Sequence, residues 1–250
     1  MTRYYYTIFR KLFKLPGALL YMDKLVADYR KNPDKYNEEK YYEYVRYVVS
    51  EMRNGGNVET LGFGLENLPK EGGYMMYPNH QGKWDVYGII SVHEKPLAFI
   101  MDIKKSNWVF IKQLVDMLKG KRLDKENNRQ AMKIINEVAS EVSEGRKFII
   151  FPEGDFHNEK KNKLEHFKSG SFKISLKSKT PIVPVVLYDS YKVYTSKDIN
   201  KVTTQVHFLK PMYYDEYKDM NTHQIADEVK RRIQEKIDEL DKNSNIQNKE

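Results

Sequence analysis

One pattern recurs through most of the chain and restricts its fold more than any other feature. Short apolar runs (VETLGF at 58–63, GYMMYP at 73–78, PLAFIM at 96–101, KFIIFP at 147–152, PIVPVVLY at 181–188) alternate with longer stretches of helical spacing at 84–94, 104–119 and 127–144. The runs are too short for helices, and several close at proline or glycine, so they read as strands, the most apolar of them buried. Strands separated by helices predict an α/β fold: a central mixed sheet flanked by helices. VTTQVHFL at 202–209 adds a later strand, and Pro184 inside its run fits an edge strand or a bulge. A closing amphipathic helix is expected over 221–240, capped by Asn221 or Thr222. The α/β domain is thereby assigned to residues 57–240, and the polar stretch DKNSNIQNKE at 241–250 to a disordered tail.

Residues 1–56 have a different rhythm and form an N-terminal helical appendage. RYYYTIFRKLFKL at 3–15 places Tyr5, Ile8, Phe9 and Leu12 at helical spacing beside Arg10, Lys11 and Lys14. Pro16-Gly17 breaks this helix, a second runs to Asn32-Pro33-Asp34, and a third spans about Glu38 to Arg53. Aromatic residues next to basic ones suit an amphipathic membrane-surface region, although a helical hairpin packed on the sheet has the same pattern.

Composition removes several chemistries. With no cysteine there is no disulfide, thiolate metal site or Cys nucleophile. No uncharged apolar segment is long enough to span a bilayer, and no secretory signal is read at the N-terminus, so the expected location is cytoplasmic and peripheral on the membrane. The net charge of +8, from 43 Lys and Arg against 35 Asp and Glu, calls for an acidic partner such as an anionic membrane surface. Nucleic acid is the rival partner, but no RNA- or DNA-binding pattern accompanies the lysines, and none is expected.

The stretch YMMYPNHQGKWD at 74–85 carries the first chemical signal. Inside one regular helix, His80 and Asp85 would lie about 140° apart around the axis and would not meet. With His80 in a turn leaving the strand and Asp85 in the first turn of the next helix, the carboxylate folds back onto the imidazole. A carboxylate on one ring nitrogen fixes the tautomer and leaves the other nitrogen to take a proton from a hydroxyl. A turn histidine with Asp85 as a helix-capping acid is the plainer reading of the same residues. No further His or carboxylate stands nearby at ligand spacing, so no metal is expected.

The second signal is FIIFPEG at 148–154, which puts Glu153 and Gly154 just past a strand end, where α/β proteins commonly place functional groups. Together, NH-x4-D, FPEG, the FKSG at 167–170 and the later IVPV resemble the glycerolipid acyltransferase family that includes the 1-acylglycerol-3-phosphate acyltransferases. The resemblance covers roughly residues 57–190. AFIMDIKK at 98–105 and RLDKENN at 122–128 are similar to the family's lysine-bearing segment and its second block.

The resemblance implies direct transfer of an acyl group from acyl-carrier protein or acyl-CoA to the hydroxyl of a lysolipid, in phospholipid synthesis. It makes His80 the base and Asp85 its orienting partner, and it requires no acyl-enzyme and no cofactor. Acceptor binding then falls to Asn79, Lys104, Lys105, Arg122, Lys125, Glu153 and Gly154. Two blocks depart from the family pattern: Lys125 stands where an arginine is usual, and Asp155, Phe156 and His157 replace Thr-Arg-Ser. A lysine meets phosphate as a point charge without the bidentate fork. Lysophosphatidic acid is the first expected acceptor, another lysolipid or hydroxylated lipid the second, and glycerol 3-phosphate the third. A non-catalytic membrane-surface protein of the same fold is the alternative to an enzyme.

Overall fold

The computed structural model describes residues 15–108, 110–196 and 198–247. The basic amphipathic helix expected over 3–15 therefore lies outside the described residues apart from its last position. Helix α1 (Leu15–Lys31) starts where a break was expected, because Pro16 falls in its first turn, where the missing N–H has no intrahelical partner to lose. Helix α2 (Glu38–Gly56) is capped by Asn37, whose side chain accepts from the Lys40 amide.

The strands are β1 (Val58–Phe63), β2 (Tyr74–Pro78), β3 (Ala98–Asp102), β4 (Lys121–Leu123), β5 (Lys147–Ile149), β6 (Ile182–Tyr188) and β7 (Val202–Phe208). They form one seven-stranded mixed sheet in the order β1-β7-β6-β2-β5-β3-β4. Strands β2 to β6 run parallel, whereas β7 is antiparallel to β6 and carries β1 parallel to itself. The remaining helices are α3 (Asp85–Val92), α4 (Ile111–Met117), α5 (Asn128–Ser143), α6 (Lys173–Ser178), α7 (Lys192–Thr195), α8 (Tyr214–Tyr217) and α9 (Thr222–Gln247).

Every residue of β2 is buried, and its side chains alternate between two cores. Tyr74 and Met76 join Met22, Val45, Ile90 and Leu114 beneath α1 to α4. Met75 and Tyr77 join Val138, Ile174 and Val229 beneath α5, α6 and α9. A strand covered on both faces has no polar side to show, which is why its sequence is continuously apolar. The described part of the helical region thus packs on the sheet, and the Tyr42 hydroxyl donates to the His93 carbonyl at 2.9 Å.

Two sequence expectations need correction. Pro184 lies in β6, an interior strand, and not at an edge. Regular β6–β7 pairing ends at Val185 with Phe208, the Pro184 carbonyl accepts from Leu209, and pairing resumes at Ile182 with Met212 with one extra residue on the returning chain, so proline's missing donor falls in a bulged stretch. Helix α9 continues through the supposed tail to Gln247, and Asp241 accepts a 2.6 Å hydrogen bond from the Tyr188 hydroxyl. Strand β4, absent from the runs read as strands, takes in the first two residues of RLDKENN. Among the described residues no helix is long and apolar enough to cross a membrane.

Candidate active site

The parallel strands deliver their carboxyl ends to one side of the sheet, and the candidate residues collect there. Past β2, the Asn79 amide engages the backbone of Leu187 in β6 in both directions: its Oδ1 accepts from the Leu187 N–H at 2.7 Å, and its Nδ2 donates to the Leu187 carbonyl at 3.0 Å. Gln81 adds a second lock, accepting from the Ser190 N–H at 2.8 Å and donating to Asn162 and to the Leu187 carbonyl. The turn between strand and helix is thereby tied to β6 before any side chain faces outward.

His80 Nδ1 lies 2.7 Å from Asp85 Oδ2, the strand–turn–helix contact that the spacing anticipates. Asp85 opens α3 and is fully buried. Its Oδ2 also accepts from the amides of Gln81 at 2.6 Å and Gly82 at 3.0 Å, and its Oδ1 accepts from the Ser190 hydroxyl at 2.5 Å. So many donors describe a carboxylate, which makes Nδ1 of His80 a donor and leaves Nε2 with its lone pair available. Phe151 stacks on the His80 ring at 4.1 Å and Phe156 meets it edge-on at 4.8 Å, so packing fixes the ring as well as hydrogen bonding.

Glu153 stands behind this turn. Its Oε1 accepts from the His80 backbone N–H at 3.0 Å and its Oε2 from the Glu165 N–H at 3.3 Å. Burial pushes its carboxyl up to about 7, against the lowering effect of those two amides. Gly154 has φ +78°, and a Cβ added there would collide with the Lys168 side chain.

His80 borders a cavity of about 730 Å³ whose walls are mostly apolar. Of the expected cations, Lys105 and Lys125 line it. Lys105 Nζ pairs with Asp155 Oδ1 at 2.6 Å, and Lys125 Nζ donates to the Gly154 carbonyl at 2.5 Å and pairs with Asp102 at 3.0 Å. Lys104 instead turns outward to Glu126, and Arg122 reaches Asp116 at 2.7 Å, so neither borders the cavity. Asn79 is also removed from the expected binding set, because Leu187 occupies both ends of its amide. Glu153 braces the histidine turn from behind and does not line the cavity.

Sequence reasoning did not single out Lys168, Lys173 or Ser190. Lys168 and Lys173 line the cavity and make no ion pair among the described residues. Lys168 sits in the quoted FKSG stretch, whose pattern was the available signal; Ser190, 105 residues from Asp85, had none. Trp84 is buried in the core, whereas Trp108 is half exposed at the cavity, with Lys83 5.2 Å above its ring. Among the described residues no group of three or more His, Asp or Glu could hold a metal ion. The chemistry available is a general base with an oriented imidazole, an apolar chamber beside it, and ammonium groups at its edge.

A family model described as Acyltransferase matches residues 63–188. The chain is 25% identical over 234 residues to a probable 1-acyl-sn-glycerol-3-phosphate acyltransferase of Mycoplasma pneumoniae, covering 86% of each chain. It is 27% identical over 184 residues to the chloroplastic 1-acyl-sn-glycerol-3-phosphate acyltransferase of Brassica napus, covering 70% of this chain and about half, 49%, of that relative. Among solved structures, the 1-acyl-sn-glycerophosphate acyltransferase PlsC of Thermotoga maritima superposes with a TM-score of 0.67 at 20% identity, over 95% of this chain and 90% of that one. This last likeness is one of fold.

Proposed function

The chain belongs to the acyltransferase family, and on that premise we propose that it moves a fatty acyl group from an acyl thioester to the hydroxyl of a lysophospholipid, with 1-acylglycerol 3-phosphate as the acceptor. The observation that carries this reading is the buried Asp85 carboxylate on His80 Nδ1, with the opposite nitrogen free beside an apolar cavity. The names of the relatives from Mycoplasma pneumoniae and Brassica napus point to the same acceptor.

In the proposed reaction His80 Nε2 takes the hydroxyl proton as the acceptor oxygen attacks the thioester carbonyl carbon. The carbon–sulfur bond then breaks, and the proton passes from the imidazolium to the departing thiolate. Asp85 holds the tautomer and stabilises the imidazolium between those events. Balance requires nothing but the two substrates.

For the acceptor's phosphate we assign Lys125, which donates to the Gly154 carbonyl, and Lys168, whose ammonium lies against Gly154, with Lys173 lining the same cavity. Lys105 neutralises Asp155, so that carboxylate does not present a bare negative charge to the phosphate. Asp155 nonetheless supports a second reading, a lysolipid whose phosphate is a diester and carries less charge. The donor is acyl-carrier protein or acyl-CoA, both acidic and suited to a basic surface.

The working location in this reading is the cytoplasmic surface of an anionic membrane. Support comes from Trp108, half exposed at the cavity with Lys83 above its ring, and from the exposed Ile103, next to Lys104 in the chain. Purified protein given an acyl thioester and a panel of lysolipids tests the proposal. Transfer to lysophosphatidic acid above all others is expected; silence across the panel would leave a non-catalytic protein of this fold.

A further inference from the structure

The cavity takes its walls from both faces of the sheet. Phe99 and Ile100 are successive residues of β3, so their side chains project to opposite faces, yet both border the cavity. Phe151 and Ile150 repeat this beyond β5, each with its own core. The space therefore has two arms that meet at the strand ends. One runs beneath α3 and α4 past Tyr87 and Ile111; the other runs beneath α5 past Met132 and Ile135.

Between the arms the loops after β3, β4 and β5 are tied together by the Lys105–Asp155 and Lys125–Asp102 pairs. The unpaired ammonium groups are not shared equally. Lys168 and Lys173 stand with α6, on the face that α5 covers; Lys125, which leads into α5, is paired with Asp102. The arm under α4 has no such cluster, and its nearest cations, Lys83 and Lys105, are engaged with Trp108 and Asp155.

We propose that the arm beneath α5 seats the acyl chain that the acceptor already carries, leaving the arm beneath α4 to the chain being transferred. The proposal rests on the lysolipid reading above. In a lysophosphatidate, phosphate and acyl chain hang from one glycerol, so both must enter on the same side of the reacting hydroxyl. The α5 arm offers an ammonium cluster and an apolar wall on one side. A thioester has no phosphate next to its carbonyl, and its acyl chain needs only the apolar arm.

The test narrows each arm separately in the full chain. Ala131→Phe, with Ala131→Leu as a milder variant, intrudes on the α5 arm, and Ile111→Phe on the other; both positions are only partly buried and border the cavity. With Ala131→Phe, KM for a long-chain lysophosphatidate should rise about tenfold, the equivalent of about two buried methylenes. KM for a short-chain lysophosphatidate and the donor chain-length profile should not move. Ile111→Phe should shift the donor profile to shorter chains and leave acceptor KM alone. A donor shift from Ala131→Phe, or an equal effect on both acceptors, overturns the assignment.

Should the wild-type protein transfer to no lysolipid, the functional reading fails, and calorimetry with decyl phosphate still decides the arm. Binding weakened by Ala131→Phe and unaffected by Ile111→Phe supports the chain seat; the reverse pattern overturns it.

Discussion

Ser190 donates a 2.5 Å hydrogen bond to Oδ1 of Asp85, the carboxylate oxygen opposite the one that meets His80. The hydroxyl fixes the rotation of a fully buried carboxylate and so fixes the imidazole that leans on it. Ser190→Ala leaves Oδ1 buried without that donor. We expect kcat to fall about tenfold or more, an interaction of roughly 1.4 kcal/mol, while KM for both substrates holds. Steady-state kinetics decide, and an unchanged kcat with a merely lower melting temperature would contradict a positioning role.

Glu153 gives the fold a signed pH dependence. Its carboxyl is raised from 4.5 to about 7 chiefly by burial, so the folded protein holds this proton more tightly than the unfolded chain. The associated stability is complete below about 4.5 and is lost as pH rises through about 7, with an upper magnitude on the order of 3 kcal/mol. Glu153→Gln keeps an oxygen for the His80 amide but cannot ionise. Between about pH 5 and pH 8 the wild-type melting temperature should fall relative to the variant's; parallel curves would refute this.

The lysines separate by position. Lys168→Ala should raise KM for lysophosphatidic acid about tenfold or more and change far less for a lysolipid with a phosphodiester head group. Lys104→Ala, whose ammonium faces Glu126 on the surface, should leave both values near wild type. Equal effects of the two variants on acceptor KM would remove Lys168 from the phosphate site.

Asn79→Ala removes both hydrogen bonds to Leu187 inside the sheet. Buried backbone groups left unpaired cost about 1–3 kcal/mol each, so urea unfolding should show a loss of roughly 2–4 kcal/mol. A variant as stable as wild type would mean that water or a rearranged turn replaces the amide.

The sheet was legible because strands buried on both faces leave an unbroken apolar record, as in YMMYP and IVPVVLY. Strand β4 was not, since Lys121–Leu123 is short, partly exposed and polar at two of its positions. His80 with Asp85 could be read from spacing because one turn brings them together. Ser190 could not, because its contact depends on how β6 aligns beside β2. Adjacent lysines show the same limit: Lys105 turns to Asp155 and Lys104 to Glu126, and nothing in the two-residue sequence separates them. Pro184 misled as to the edge, because a missing donor is also accommodated in an interior strand where the neighbouring pairing is interrupted.

Turnover of His80→Ala beside wild type, with an acyl thioester and lysophosphatidic acid, decides whether His80 is the base. General-base catalysis by His80 requires acyl transfer by the wild-type protein and a loss of at least about a hundredfold in the variant, at an unchanged melting temperature. A folded His80→Ala protein that still transfers at near the wild-type rate would contradict it.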